Sequence, residues 1–493
     1  MKNNLSLVCA LVFAASSCTA AHAAADKSGP GECLDGRRTD FSDVLACYRK
    51  EQANLPLQYS HSGSSVTEGV EKRAYKLESQ NWTPGFVVTP ARWSHEVEIF
   101  IPENALSQRA LLVINNGVNA GESVPGQAPT DFPEQVLRSV AQKTRTIVIS
   151  VSNVPNQYLT YENDTRGRRE DDSVAHSWKL FLDAPEARPY ASLHVPMMAA
   201  AVKTMDLAEI ELRRWGVRRF IAAGTSKRGW AAWHTAIVDR RVDAIVPFVF
   251  DGLNTKRMLE HTFKVYGGHW PLALTPYVNE GIMERLQTKE FRKLMDIEDP
   301  LRYLNTSYAH RLAIPKYIVN ASGDDFFTPD NARLYFDKLP GVKTLRVAPN
   351  SNHYGIKGFT EDSLVPFTNR LQHAVRMPKL LAEVDHEDGA SILNVRFSEA
   401  PVRLVKWVAH NPLSRDFRYA CGIRYVASSI EMEQDERELR TPIDKPAQGW
   451  GATFVEAHFA DGFTASTPVY ISPEKAYPDS APPSPGAGCD ILP

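Results

Sequence analysis

From Trp93 to Ala348 the sequence alternates short apolar runs with stretches of helical period, and this alternation constrains the fold more than any other feature. Trp93–Pro102 alternates apolar and polar residues, as a half-buried strand does. Ala110–Asn116 and Thr146–Ser152 are continuous apolar runs, the pattern of strands covered on both faces. Arg218–Ala223, Val242–Phe250, Pro315–Ala321 and Lys343–Ala348 repeat it. Helical stretches fall between them at 131–144, 192–215, 228–239 and 329–338, with Asp131 as the expected N-cap of the first, ahead of Pro133. Asp40–Gln52 supplies one more helix in front. Such an order predicts an α/β fold: a mostly parallel sheet with helices on both faces, over a body spanning residues 30–377.

Two stretches break the rhythm. Gly252–Leu312 is rich in aromatic residues, helical in pattern and without strand signals. An insertion at the carboxyl end of a sheet strand predicts a lid over a site, here at about 252–312. Past Met377, Ala390–Phe397, Val402–Ala409, Phe454–Phe459 and Phe463–Ile471 read as strands with no helices between them. They predict a small β-sandwich over 378–475, followed by a proline-rich tail over 476–493. With 43% hydrophobic residues the chain has ample core, which excludes wholesale disorder. The net charge of −2 gives no global attraction to nucleic acid or to an anionic membrane.

The N-terminus sets the compartment. Lys2 precedes an apolar run, Leu5–Ala15, too short to span a bilayer, and Ala21-His22-Ala23 forms a small-residue cleavage site. Residues 1–23 are therefore expected to be a signal peptide, leaving an exported protein, periplasmic or secreted, with no integral membrane segment after cleavage. Ala15-Ser16-Ser17-Cys18 faintly resembles a lipoprotein box, so anchoring through Cys18 is the weaker alternative. Four cysteines remain past the signal: Cys33, Cys47, Cys421 and Cys489. An even count in an exported chain favours disulfides. Local pairing gives Cys33–Cys47 with Cys421–Cys489, and cross-linking of the two termini is the alternative. Their spacing contains no paired C-x-x-C, so no zinc site is expected.

The chemistry concentrates in Gly224-Thr225-Ser226-Lys227-Arg228-Gly229, which follows a strand and opens a helix. A nucleophile elbow needs that setting, because a sharp strand-to-helix turn exposes one hydroxyl at the top of the sheet. The small residue usual two places after the serine is replaced by Arg228. In α/β-hydrolases the triad order is serine, acid, histidine. Asp324 and Asp325 follow the Pro315–Ala321 strand, and His353 follows the next one. His353 would take the proton of Ser226, and the acid would hold the imidazole. Asp324 ranks first as that acid, with Asp325 and, one strand earlier, Asp251 as alternatives. The backbone N–H of Lys227 and that of Gly117 or Val118, on the loop after an early strand, are the expected oxyanion hole. Arg228 is read either as a cationic clamp for substrate or as a helix-surface arginine in an ion pair. Glu170 is read either as favourable charge at a helix N-terminus or as a contact for a substrate amine. Trp230 and Trp233 on the following helix are assigned to the core. With no phosphate loop, dinucleotide fingerprint or H-E-x-x-H motif, neither a cofactor nor a metal is expected.

The segments Val154-Pro-Asn-Gln157, Glu170-Asp171-Asp172 with His176-Ser-Trp178, Gly224–Trp230, Ser322–Phe327, Val347–His353 and Asp416-Phe-Arg418 resemble those of the PhoPQ-activated pathogenicity-related protein family. That resemblance implies an α/β-hydrolase domain with a β-sandwich appended, and a link to bacterial virulence or envelope stress. In the family pattern the acidic pair is usually Asp-Glu, so Asp324 holds the fixed position, which is why it ranks first. The lid and appended β domain also resemble serine peptidases of the prolyl-oligopeptidase type, and the Ser-Lys-Arg elbow resembles that of glucuronoyl esterases. The sequence thus points to a serine hydrolase acting on an ester or peptide bond in a peptide or small molecule. The alternative is a non-catalytic interaction protein on the same scaffold.

Overall fold

The computed structural model describes residues 33–34, 40–120, 125–433, 435–486 and 488–492. The expected signal peptide, its cleavage site and Cys18 lie outside the described residues. A nine-stranded mixed sheet organises the body. Its strands are β1 (Gln58–Thr67), β2 (Val70–Asn81), β3 (Arg92–Pro102), β4 (Arg109–Ile114), β5 (Ile147–Val151), β6 (Arg219–Thr225), β7 (Val242–Phe248), β8 (Lys316–Ala321) and β9 (Lys343–Ala348). Their spatial order is β1-β2-β3-β5-β4-β6-β7-β8-β9. β5, β4 and β6–β9 run parallel, whereas β1, β2 and β3 join antiparallel at one edge.

The inner strands are mostly apolar because both faces are covered, with exceptions such as Asp243 on β7 and Asn320 on β8. The α-helices among the described residues are α1 (Val44–Ala53), α2 (Glu134–Thr144), α3 (Glu170–Asp183), α4 (His194–Glu211), α5 (Lys227–Val238), α6 (Thr255–Val265), α7 (Thr275–Asn279), α8 (Lys289–Glu298) and α9 (Thr360–Gln372). On β4, Ala110, Leu112 and Ile114 join one core with α1, α4 and α5, and Leu111 and Val113 join the opposite core with α2 and α9. This period of two delivers alternate residues to opposite sides of the sheet.

Two local readings of the sequence are corrected. Asp131 does not cap α2. That helix begins at Glu134 with Pro133 at the N-cap, and the Asp131 carboxylate instead accepts a hydrogen bond from the Thr225 hydroxyl. The stretch 329–338 is not one helix but two 3-10 turns, Asn331–Leu334 and Phe336–Lys338. Tyr335 breaks between them at φ −141°, and its hydroxyl reaches the Asp251 carboxylate at 2.5 Å.

Between β7 and β8 the chain runs through α6, α7, α8 and several 3-10 turns, and its strand content is the pair Trp270–Pro271 set against Ile491–Leu492 of the C-terminal tail. Past α9 come β10 (Leu380–Glu387), β11 (Ala390–Phe397), β12 (Arg403–Asn411), β13 (Val426–Ile430), β14 (Glu438–Pro442), β15 (Trp450–His458), β16 (Thr464–Ser466) and β17 (Tyr470–Ser472). They form one three-stranded antiparallel sheet, β10-β11-β14, and one five-stranded sheet built around β12 and β15. Leu393 and Val395 of the first share a core with Leu404 and Val455 of the second. The Ser466 hydroxyl accepts from the Val347 N–H at 2.8 Å, fastening this part to β9. The disulfides are the local pairs, Cys33–Cys47 and Cys421–Cys489. No helix among the described residues is long and apolar enough to cross a membrane.

Candidate active site

Ser226 stands between β6 and α5 with φ 53° and ψ −125°, a backbone conformation that L-residues other than glycine seldom adopt. Holding it costs about 1–3 kcal/mol, which the surrounding packing must offset. The packing that does so is visible in the neighbours. A Cβ on Gly224 would lie 2.6 Å from the Arg228 carbonyl carbon, and one on Gly229 would lie 2.9 Å from the Gly224 oxygen. The helix therefore crosses the strand at the third residue past the serine rather than the second, which frees the intervening position for Arg228. The Ser226 N–H donates to Phe248 O of β7 at 2.8 Å, tying the turn to the next strand.

The other two residues of the expected triad arrive from the ends of β8 and β9, beyond β7. Asp324 follows β8 and His353 follows β9, and His353 Nδ1 lies 2.9 Å from Asp324 Oδ2 and 3.0 Å from Oδ1. Asp324 also accepts from the backbone N–H groups of Phe326 at 2.8 Å and Phe327 at 3.3 Å, which fixes its orientation. Both side chains are buried. Burial disfavours the imidazolium of His353, but the charge and hydrogen bonding of Asp324 more than offset it, so its pKa is raised above the ordinary histidine value. Ser226 and His353 line the same cavity, of about 270 Å3, together with Gly117, Lys227 and Arg228.

Neither alternative acid engages the His353 ring nitrogen. Asp251 accepts from Tyr335, and burial pushes its carboxyl up to about 8. Asp325 is raised to about 6, first by burial and then by the charge of Asp324 beside it. The two oxyanion-hole candidates on the early loop also separate. The Val118 N–H donates to Gln127 O at 3.0 Å and is engaged. Gly117 has φ 124°, and a Cβ there would sit 2.4 Å from Asn153 Oδ1, so only glycine fits this close approach. Lys227 is the first residue of α5, where a backbone N–H has no partner within the helix.

The side chains of Lys227 and Arg228 face the reverse way from a surface helix, into a buried network. Lys227 Nζ lies 2.9 Å from Glu170 Oε2 and 3.0 Å from Asp171 Oδ2. Arg228 donates through Nη2 to Glu170 at 2.6 Å and through Nε to Val154 O at 2.5 Å, with Asp131 3.7 Å away. Burial opposes the charge on Glu170, yet Arg228 and Lys227 hold its carboxyl well below the usual range. Arg228 is thus an ion-paired arginine, though a buried one, and Glu170 does lie in the first turn of a helix, α3. Both still line the cavity. Asp131, Asp171 and the Lys227 side chain escaped the sequence reading. The acidic run at 170–172 was the one local signal for this network. A second cavity, of about 50 Å3, opens on Ser226 from the side of α6 and α7.

A family model described as PhoPQ-activated pathogenicity-related protein matches residues 45–418. Autocrine proliferation repressor protein A of Dictyostelium discoideum is 30% identical over 407 residues, covering 78% of this chain and 79% of its own. Among solved structures, an acetyl xylan esterase from Paenibacillus sp. R4 is similar at a TM-score of 0.44 and 13% identity, covering 68% of this chain and 95% of that one. A glucuronoyl esterase from Solibacter usitatus is similar at a TM-score of 0.37 and 12% identity, covering 67% of this chain and 91% of that one.

Proposed function

The chain belongs to the PhoPQ-activated pathogenicity-related protein family, and we propose that within it this protein works as an exported serine hydrolase of the α/β-hydrolase type. One observation carries the reading: the Asp324–His353 pair, past β8 and β9, and the strained Ser226 turn, past β6, lie at the carboxyl ends of parallel strands, with serine and histidine on one cavity. In the proposed reaction Ser226 Oγ attacks a carbonyl carbon and its proton passes to His353. The N–H groups of Lys227 and Gly117 stabilise the oxyanion of the tetrahedral intermediate. As that intermediate collapses, the bond to the leaving group breaks and His353 returns the proton to it. Water then attacks the acyl-serine with His353 again as base, releasing the acid. Asp324 keeps the imidazole in the needed tautomer and stabilises its cation.

The arrangement of the rest follows from this reading. Residues 252–312 act as the lid, since Met258, Leu274 and Met283 wall the small cavity beside Ser226. The domains proposed are the body to 377, a β-sandwich over 378–475 and the tail. Export is supported by the N-terminal signal pattern and the two disulfides. A second reading, an interaction protein on the same scaffold, is favoured by the name of the Dictyostelium discoideum relative, which speaks of repressing proliferation. Labelling with a fluorophosphonate separates the two. The hydrolase reading expects the wild type to label and Ser226→Ala not to. Absence of labelling in the wild type, or equal labelling of both, overturns it.

A further inference from the structure

Two cavities meet at Ser226, and they differ in character. The larger one presents Asn116, Thr130, Asp131, Arg228, His353 and Lys357. The smaller one shares Ser226, Lys227, Asp171 and Phe326 with it, but apart from Thr255 and Tyr277 is otherwise walled by apolar side chains, among them Trp230, Phe250, Met258 and Leu259. Resting on the hydrolase reading above, we propose that the smaller cavity receives the acyl group of the substrate, that this acyl group is a short unsubstituted hydrocarbon chain, and that the leaving alcohol is polar and lies in the larger cavity.

The chemistry assigns the two halves. The leaving oxygen must accept a proton from His353, so the leaving group lies within reach of that ring. His353 lines the larger cavity and not the smaller one. The acyl group, on the other side of the scissile bond, is left with the apolar chamber. The walls there are interlocked aromatic rings. Trp230 stacks on Phe250 with centroids 4.6 Å apart, and Trp178 meets Trp230 edge-on at 5.6 Å and Tyr277 at 5.4 Å.

Apart from the buried Trp178 indole N–H, which has no partner, the polar side chains of this chamber are engaged. Asp171 is held by Lys227 at 3.0 Å and by the Tyr277 hydroxyl at 3.1 Å, and the Thr255 hydroxyl donates to Gly252 O at 2.8 Å. An acyl group bearing several hydroxyls or a carboxylate would lose its water there and find at most the single Trp178 indole N–H in exchange, which is unfavourable. Size sets the upper limit. One water needs roughly 10–15 Å3. The chamber of about 50 Å3 therefore holds about four groups of that size, which matches a butanoyl or pentanoyl chain.

The test is a series of p-nitrophenyl esters from acetyl to decanoyl, assayed on the full mature chain beside a small fluorophosphonate that reports Ser226 directly. We expect kcat/KM to rise about fourfold for each added methylene up to butanoyl or pentanoyl, and to fall tenfold or more, roughly, beyond hexanoyl. With the acyl group fixed as butanoyl, the ester of a hexose hydroxyl should be cleaved faster than the ester of hexanol. In Leu259→Ala, or in Met258→Ala should the first fold poorly, the optimum should move to longer chains. A flat profile, an optimum at decanoyl, or a uronoyl ester cleaved faster than the butanoyl ester overturns the acyl assignment while labelling of Ser226 leaves the hydrolase reading standing. A wild type that does not label overturns both.

Discussion

His353 and His194 each present Nδ1 to a buried carboxylate. His353 meets Asp324 at 2.9 Å, and His194 meets Glu298 at 2.8 Å. Each pair also has a serine in attendance. Ser192 donates its hydroxyl to Glu298, whereas Ser226 stands on the elbow and lines the same cavity as His353. Both groups combine a serine, a histidine and a carboxylate, aspartate in one and glutamate in the other, yet their surroundings are opposite. Ser192, His194 and Glu298 are all fully buried, under Trp230, whose indole N–H donates to Glu298 O at 2.5 Å. The hydroxyl there faces the acid instead of the imidazole, and no cavity reaches it among those that border Ser226. A nucleophile needs its base and an approach path, and a serine bonded directly to a carboxylate in a sealed core has neither. The Glu298 group is structural: it joins α8 to α4 and α5 beneath the floor of the site.

Substitutions should separate the two groups sharply. The largest effect is expected for Ser226→Ala, which should lower kcat by about 10^4-fold or more in ester hydrolysis, whereas Ser192→Ala should leave kcat intact and lower Tm in calorimetry. Asp324→Asn should lower kcat by about 10^4-fold with little change in Tm, because the ring would lose its tautomeric control and not its packing. Glu298→Gln should do the reverse, reducing unfolding free energy by about 3–5 kcal/mol in urea titrations, since it breaks a buried pair, while the protein that remains folded turns over normally.

Acidity offers a further way to test the contrast. His353 works as a base only when neutral, and its pKa is raised above 6.5. The kcat/KM profile should therefore climb with pH to a midpoint above 6.5 and fall about tenfold per unit on the acid side. The smallest effect on turnover is expected at Asp251. Its carboxyl is raised to about 8, so the folded state favours the protonated form. The stability this contributes is complete below the unfolded carboxyl pKa, near 4, and is lost as pH rises through about 8. Asp251→Asn should flatten that alkaline decline in melting experiments and leave kcat unchanged. A loss of activity comparable to that of Asp324→Asn would move the acid role to Asp251.

The residues proposed as the elbow and its partners could be picked out from the sequence because each rests on a local pattern. Ser226 lies between a continuous apolar run and a helical period, and Asp324 and His353 each follow a run of the first kind. Choosing among Asp251, Asp324 and Asp325 needed the fold, since only three-dimensional geometry decides which carboxylate meets Nδ1. Arg228 and Glu170 were each visible as charged candidates, but their pairing was not. Glu170 lies 58 residues from Arg228, and no local period reports an ion pair at that distance. The β1–β2 hairpin left no signal for a related reason. β1 is exposed along most of its length and lacks the alternation that burial of one face imposes. The misread helix at 329–338 shows the opposite failure, where a plausible period was overridden because the Tyr335 hydroxyl is drawn to Asp251.

Downstream of the sheet, the segment around Asp416–Tyr425 closes on both loops that carry the His–Asp pair. The Tyr419 N–H donates to Gly323 O at 3.0 Å, and Asn350 exchanges hydrogen bonds with Tyr425 at 2.7 and 2.9 Å. A Cβ on Gly323 would stand 2.7 Å from Tyr419 N, so the two segments touch through bare backbone. Cys421–Cys489 then ties this segment to the end of the chain. The serine turn and both loops precede this segment in the sequence, so a ribosome makes them before the residues that clasp them. A polypeptide cut short near residue 411 would keep Ser226, Asp324 and His353 while lacking the clasp on the two loops.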